Sequence, residues 1–214
     1  MGFSATAGGG QAFRRVPTGV WVARCVDIID LGTQEVEWQG QYKLQHKVQI
    51  GWEVFGEDEA GVPLTADVDG KEVPLTISKR YTLSLNDRAA MRRDLEAWRG
   101  KPFDADELRG FDVSKLLGAY CLLNIAEEAS DNGKTYSNIK SITPVPKGMP
   151  RPAGVHALRK FDVDSPDMAM FESFHGRLQE VILAAHEWPK VAPKAAAAPA
   201  REVAMSDMED DIPF

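Results

Sequence analysis

Residues 42–55, Tyr-Lys-Leu-Gln-His-Lys-Val-Gln-Ile-Gly-Trp-Glu-Val-Phe, alternate between apolar and polar side chains more regularly than any other part of the chain. A period of two residues is typical of a β-strand with one buried and one solvated face. The apolar set is Tyr42, Leu44, His46, Val48, Ile50, Trp52 and Val54, and the polar set is Lys43, Gln45, Lys47, Gln49 and Glu53. We therefore predict an antiparallel strand whose outward face carries lysines.

The segments around this strand predict a mainly β fold. Further strands are indicated at 16–31, 75–85, 119–125 and 135–143, and a helix at 86–100, with Asn86 as N-cap, a buried stripe of Met91, Leu95 and Trp98, and Gly100 as its stop. Asp104 and Glu107 predict a capping box for a short turn that follows. The acidic residues 56–72 predict a long solvated loop.

Three strands, a helix and two strands are the plan of an OB-fold. This fold is a small five-stranded, partly open barrel that presents strands 2 and 3 and loops 1-2 and 4-5 to extended ligands, commonly oligonucleotides. In this sequence loop 1-2 would run over 32–41 and loop 4-5 over 127–134.

Composition divides the chain into four segments. They are a flexible glycine-rich arm at 1–13, the OB-fold domain at 14–150, a C-terminal helix at 151–189, and an Ala/Pro linker with a disordered acidic tail at 190–214. The helix would open at Ser165-Pro166 and carry one stripe of Phe171, Phe174, Leu178, Val181, Ala185 and Trp188. That stripe can pack on the barrel, which is the favoured interpretation, or form a seam with a second chain. Monomer and homodimer both stay open.

Charge and motifs restrict the classes of function. The net charge of the 214 residues is −7, of which 151–214 carry −4 and 1–150 only −3, so the overall acidity does not exclude a nucleic-acid partner. The N-terminus does not resemble a secretory signal and no apolar run reaches the roughly 20 residues of a membrane span, which favours the cytoplasm. Cys25 and Cys121 lie far apart and predict core thiols.

No enzyme signature appears in the sequence. The four histidines form no HExxH or HxH motif, and there is no GxSxG or GKS/GKT motif. We expect neither catalysis nor a metal or cofactor. The open alternative is a Mg²⁺-dependent nuclease, for which Asp27, Asp30, Glu35 and Glu37 are the candidate carboxylates, although a solvated strand end explains them better.

Cations with interspersed rings are the features that a sequence-tolerant binder of single-stranded nucleic acid requires. The predicted strands 2 and 3 place Lys43, Lys47 and Arg80 on the outer surface, and the topology brings Lys79, Lys134, Tyr136 and Lys140 close by. Trp38 in loop 1-2 and Tyr136 are the candidate stacking rings. Tyr42, Trp52 and Tyr81 fall on apolar faces and are predicted in the core.

The chain end supplies a second signal. Met208-Glu-Asp-Asp-Ile-Pro-Phe214 closely resembles the acidic tip of bacterial single-stranded DNA-binding proteins, which recruits replication, recombination and repair enzymes. This resemblance implies a partner-binding tail of Asp207, Glu209, Asp210, Asp211, Ile212, Pro213 and Phe214.

The body resembles single-stranded DNA-binding proteins encoded by tailed bacteriophages. The similarity runs through residues 77–85, ISKRYTLSL, 95–103, LEAWRGKPF, 117–125, LGAYCLLNI, and 133–139, GKTYSNI, and covers about 16–148. It implies an OB-fold that coats single-stranded DNA in phage replication or recombination, within the host cytoplasm. The longer domain and the Ala/Pro linker depart from the bacterial proteins, so their tetramer is not carried over. The competing hypothesis is a recombination mediator or replisome adaptor that binds DNA weakly.

Deletion of residues 207–214 is expected to tighten binding to single-stranded DNA, because a polyanionic tail competes with DNA for the same cations. The gain should be largest at low salt, where screening is weak. Titrations of the full and truncated chains at two ionic strengths measure it. Equal affinities at both would contradict the competition and leave partner recruitment untouched.

Overall fold

A computed structural model describes residues 14–129, 133 and 135–188. The strands are β1 (Gly19–Trp38), β2 (Gln41–Phe55), β3 (Thr65–Val68), β4 (Lys71–Pro74), β5 (Thr76–Thr82), β6 (Tyr120–Ala129), β7 (Thr135–Thr143) and β8 (Arg159–Phe161). The helices are α1 (Ala90–Arg99), α2 (Ala105–Arg109), α3 (Met168–Ser173) and α4 (Gly176–Leu183), with a 3-10 turn at Val113–Leu116. The predicted arm at 1–13 and the segment from 189 onward lie outside the described residues.

The molecule is mainly β, as predicted, and is built on one sheet of six strands. Five strands follow the antiparallel order β5-β2-β1-β6-β7, and β8 pairs in parallel with β1. In the described part of the chain β5 and β7 form no ladder with each other, so the sheet is not closed into a barrel. The two edges are joined instead by a side chain, since Lys79 Nζ donates to the Ile139 carbonyl at 3.4 Å. We call the line between β5 and β7 the seam.

The inner face of the sheet and α1 enclose the main core. Trp52 is fully buried and its ring centroid lies 5.8 Å from that of Trp98 on α1. Met91 and Leu95 are buried beside Trp98, which confirms the predicted stripe. Cys25 and Cys121 are buried free thiols, also as predicted.

The ends of the helices were predicted with mixed success. Gly100 ends α1 in the left-handed region at φ 68°, and Asp104 and Glu107 form the predicted capping box of α2. The N-cap prediction is wrong, because α1 begins at Ala90 after Ala89. The Asn86 carbonyl accepts the Ala89 N–H in a turn that precedes the helix.

Two predicted loops contain strands. Residues 56–72 hold β3 and the start of a second short strand, β4, which pairs with it. The predicted loop 1-2 at 32–41 is mostly strand, since the β1–β2 ladder continues until Trp38 pairs with Gln41. Gln39 and Gly40, with φ of 53° and 73°, make the two-residue turn that this tight hairpin needs. We call residues 33–46, which extend beyond the partner strand β5, the hairpin arm.

The C-terminal segment contains two short helices, so the prediction of one continuous helix is wrong. The backbone at Phe174 is extended (φ −74°, ψ 149°), and His175 caps α4 by accepting the Leu178 N–H at 3.3 Å. The apolar stripe is nevertheless buried against this chain's own sheet. Most of its residues form a second core with β1 and β8, made of Ile29, Leu31, Phe161, Val163, Phe171, Phe174, Leu178, Ile182, Ala185 and Trp188. We call residues 159–188 the C-terminal layer.

A buried ion pair attaches the connection to this layer. Glu53 on β2 is fully buried and accepts hydrogen bonds from Arg24 Nε at 2.5 Å and from the N–H groups of Val155 and His156 at 3.1 and 2.9 Å. Arg159 then binds both carboxylate oxygens of Asp27 at 2.7 Å. Residues 153–159 are therefore held against the outer side of β1 and β2.

None of the described helices is long and apolar enough to cross a membrane.

Glu53→Ala is expected to lower the free energy of unfolding by about 3–5 kcal/mol, because it leaves the Arg24 guanidinium and two backbone N–H groups without their buried acceptor. Urea unfolding measures the loss. Glu72→Ala, at an exposed position of β4, is the matched control and should change stability by less than about 0.5 kcal/mol. Equal stability of the two variants would show that the buried pair contributes nothing.

Candidate nucleic-acid interface

Pairing of β2 with β5 places three of the predicted cations on one face. Lys47 lies opposite Thr82 and Gln49 opposite Arg80 in the ladder, and directly paired residues share a face. Alternation along β2 adds Lys43 to the same side. We call this side, opposite to the Trp52 side, the outer face.

Hydrogen bonds hold two of these cations in place. Lys47 Nζ donates to Gln45 Oε1 at 2.6 Å and to Thr82 Oγ1 at 2.8 Å. Arg80 Nε donates to Gln49 Oε1 at 3.0 Å. All of these acceptors are neutral, so the side chains are oriented while their charges are left available.

Arg177 on α4 adds a fourth cation that sequence reasoning missed. Burial and the nearby Arg177 guanidinium both lower the pKa of Arg80, and burial lowers that of Lys47. Leu178 and Ile182 of the same helix pack on Ile29, which is paired with Gln49 on the outer face. No periodicity in the sequence links Arg177 to β5, because only this tertiary packing brings them together.

Lys43, Lys47, Arg80 and Arg177 form what we call the cation cluster. Within the described ranges none of the four has a carboxylate within 4.0 Å, whereas Arg24, Lys79, Lys140 and Arg159 of the same sheet are each ion-paired. Like charges that share one face without paired carboxylates create a positive potential that favours an anionic ligand.

Lys79 does not join the cation cluster. It follows the alternation of β5 onto the inner side, where its Nζ lies 2.7 Å from Oδ2 of the buried Asp94. The Tyr81 hydroxyl donates to the same oxygen at 3.1 Å, and burial together with the Asp94 charge raises the pKa of Tyr81. The neighbours Lys79 and Arg80 therefore serve opposite faces.

The remaining predicted contact residues lie beyond the seam or outside the description. Tyr136 and Lys140 belong to β7, where Tyr136 is 42% exposed and Lys140 is ion-paired with Glu128. Outside the described residues lie the side chain of Trp38, Lys134, and the tail residues Asp207, Glu209, Asp210, Asp211, Ile212, Pro213 and Phe214.

Of the three aromatic residues predicted in the core, two are buried and one is exposed. Trp52 and Tyr81 are buried as predicted, but Tyr42 is 69% exposed and its assignment to the core is wrong. The ladder with β5 starts only at Lys47, so among the described strands only β1 pairs with β2 at Tyr42 and Leu44.

Polar contacts at the base of the hairpin arm join it to the C-terminal layer. His46 Nε2 lies 2.6 Å from Asp30 Oδ1, and Glu187 accepts hydrogen bonds from the Thr33 N–H at 2.8 Å and the Thr33 hydroxyl at 2.5 Å. Burial raises the pKa of Asp30. The pKa of Glu187 is lowered, since the bonds from Thr33 outweigh burial.

The carboxylates considered for a nuclease are dispersed. Asp27 binds Arg159, Asp30 binds His46, and Glu35 and Glu37 lie exposed on the hairpin arm. The described part of the chain contains no group of three His, Cys, Asp or Glu side chains that could hold a metal ion.

No protein-family model, curated protein or solved structure matches this chain.

The two faces of the sheet predict unequal effects of removing a lysine. Lys79→Met should lower the free energy of unfolding by about 2 kcal/mol, because the buried Asp94 carboxylate loses its cationic partner. Lys47→Met, on the outer face of the neighbouring strand, should change it by less than about 0.5 kcal/mol. Urea unfolding of both variants tests which face each lysine occupies. A larger loss of stability for Lys47→Met than for Lys79→Met would contradict this placement of the two lysines.

Proposed function

We propose that this chain is a non-enzymatic single-stranded DNA-binding protein that coats unpaired DNA without strong sequence preference. The observation that carries the proposal is the cation cluster, in which Lys43, Arg80 and Arg177 are exposed, Lys47 is partly exposed, and none is ion-paired with a carboxylate of the described residues. Regularly spaced phosphates are the anionic ligand that an extended row of cations suits best.

The strand order supports an OB-fold as the scaffold of this site. The order β5-β2-β1-β6-β7 carries α1 between its third and fourth long strands, β5 and β6, as an OB-fold does. In that scheme β2 and β5 are the second and third strands, the ones that present the binding face. The cation cluster lies on those two strands and on the helix beside them.

The chemistry of the outer face favours sequence-tolerant binding. Amide and hydroxyl groups orient its cations. Oriented cations suit contacts with phosphates more than readout of base edges. Stacking would come from Trp38 and Tyr136, because every base has a π-face. From the resemblance to phage-encoded proteins we further propose a role in phage replication or recombination in a bacterial cytoplasm, with the acidic tail recruiting other proteins.

One observation favours a recombination mediator or replisome adaptor as the second candidate. The C-terminal layer covers Ile29 and Leu31 on the outer side of β1, and Gln49 is only 8% exposed. This covering narrows the face that DNA could contact. Weak binding of DNA together with strong binding of a protein partner would favour this candidate.

The test is a titration of fluorescently labelled oligo(dT) with the full chain and with a Lys43→Gln, Lys47→Gln, Arg80→Gln triple variant. Losing three phosphate contacts should reduce the log-log salt slope by about 2 and the affinity about 100-fold at 0.1 M salt. A triple variant of the exposed residues Lys71, Lys101 and Arg109 removes equal charge elsewhere and should bind nearly as tightly as the unmodified chain.

Three outcomes would overturn the proposal. They are equal losses in the two triple variants, equal competition by duplex DNA, and no binding of the oligonucleotide by the unmodified chain. Mg²⁺-dependent degradation of the oligonucleotide in the same tube would instead favour the nuclease.

A further inference from the structure

The seam between β5 and β7 is an open cleft on the molecular surface. It has a volume of about 350 Å³ and is lined by residues 14–16, 76–78 and 136–138. Lys79 bridges the two edges on the inner side of the sheet, so the cleft opens outward. A closed β5–β7 ladder would leave no such space.

Two side chains at this cleft have the chemistry of a nucleotide site. Tyr136 is 42% exposed as a residue, and the Arg15 side chain is 54% exposed. Arg15 Nη1 donates to the Thr135 carbonyl at 2.9 Å, which holds the guanidinium next to the start of β7. The only carboxylate paired with Arg15 in the described residues is Glu127, at 3.9 Å and partly exposed, a contact weak enough for a phosphate to replace.

The cleft continues the outer face of the proposed interface. Ser78 and Arg80 are two residues apart on β5 and both are exposed, so they share one side of the strand. Ser78 lines the cleft, while Arg80 belongs to the cation cluster. A single DNA strand bound at Arg80 can therefore cross the edge of β5 and reach Tyr136 without passing over a buried surface.

Polar side chains line part of the cleft, beside the apolar Val16 and Ile77. The hydroxyls of Thr76, Ser78 and Ser137 and the amide of Asn138 surround the cleft. The hydroxyls of Thr76 and Ser78 can each donate or accept a hydrogen bond, so they impose little preference on a base edge. Ser137 Oγ already donates to the Val16 carbonyl, and Asn138 Nδ2 donates to Glu128 Oε2. An aromatic ring supplies the stacking partner, and a guanidinium binds phosphate in a bidentate manner.

We propose that the seam is a nucleotide subsite in which one base stacks on Tyr136 and Arg15 binds an adjacent phosphate. The bound strand then runs from the cation cluster across β5 and onto β7. This inference rests on the proposed function and adds to it a route for the DNA and a contact, Arg15, that the pattern of predicted strands did not include.

The affinity test uses the full chain and labelled oligo(dT). Tyr136→Ala should weaken binding about 5- to 150-fold, the range for losing one stacked base, and Tyr136→Phe should restore it. Arg15→Ala should reduce the salt slope by about 0.7, as expected for one phosphate. The matched controls are Tyr42→Ala, an exposed tyrosine on the hairpin arm, and Arg109→Ala, an exposed arginine on α2, which should bind like the unmodified chain.

Photo-cross-linking gives a second test that uses only the unmodified chain, so it does not depend on whether a variant folds. Irradiation of the unmodified chain on an oligonucleotide containing 5-iododeoxyuridine should produce a cross-link at Tyr136, located by mass spectrometry of the digested adduct. The seam subsite is overturned if the unmodified chain binds oligo(dT) but Tyr136→Ala and Arg15→Ala behave like their controls and no cross-link maps to residues 135–138. Failure of the unmodified chain to bind at all would overturn the proposed function, and this inference with it.

Discussion

The alternation of side chains along β2 is the constraint on which the rest of the structure depends. This strand lies between β1 and β5, so each of its residues either enters the core around Trp52 or faces outward beside Lys47 and Arg80. A slip of one residue would exchange the two sets and bury the lysines. The core and the cation cluster are thus two consequences of a single register, and neither can be shifted without the other.

The outer face is divided between structure and function. On the β1 side it is sealed by polar and apolar contacts, first the fully buried Glu53 with Arg24 and then the C-terminal layer on Ile29. On the β5 side it stays open, and there the acceptors of the cations are neutral amides and hydroxyls. A buried ion pair is a costly way to attach a segment, yet it specifies one geometry, because any displacement leaves a charge unpaired. The packing of α4 in the second core with Ile29 brings Arg177 near Arg80.

Local patterns allowed much of this arrangement to be predicted. The alternation of apolar and polar residues predicted β2 and its outward lysines. The spacing of Met91, Leu95 and Trp98 by three and four residues predicted the buried side of α1. The errors arose where distant packing decides. Tyr42 fits the alternation of a core residue, but β2 extends beyond the end of β5 at this point. The stripe at 171–188 has helical spacing, but the backbone is extended at Phe174. Arg177 gave no signal, since its place depends on how α4 meets the sheet. The seam was missed for the same reason, because a strand pattern does not state whether the edges will pair.

The burial of Trp188 has a consequence for everything that follows it in the chain. Its ring packs 4.7 Å from that of Phe171, and the preceding residue, Glu187, is bonded to Thr33 at the foot of the hairpin arm. The last described residues, Glu187 and Trp188, are therefore fixed to the sheet. Whatever conformation the last 26 residues adopt, Phe214 stays within about 90 Å of Trp188. Under the proposed function, a protein bound by the tail would be confined to a volume of that radius around this molecule, and its local concentration there would be set by the tether and not by the bulk solution.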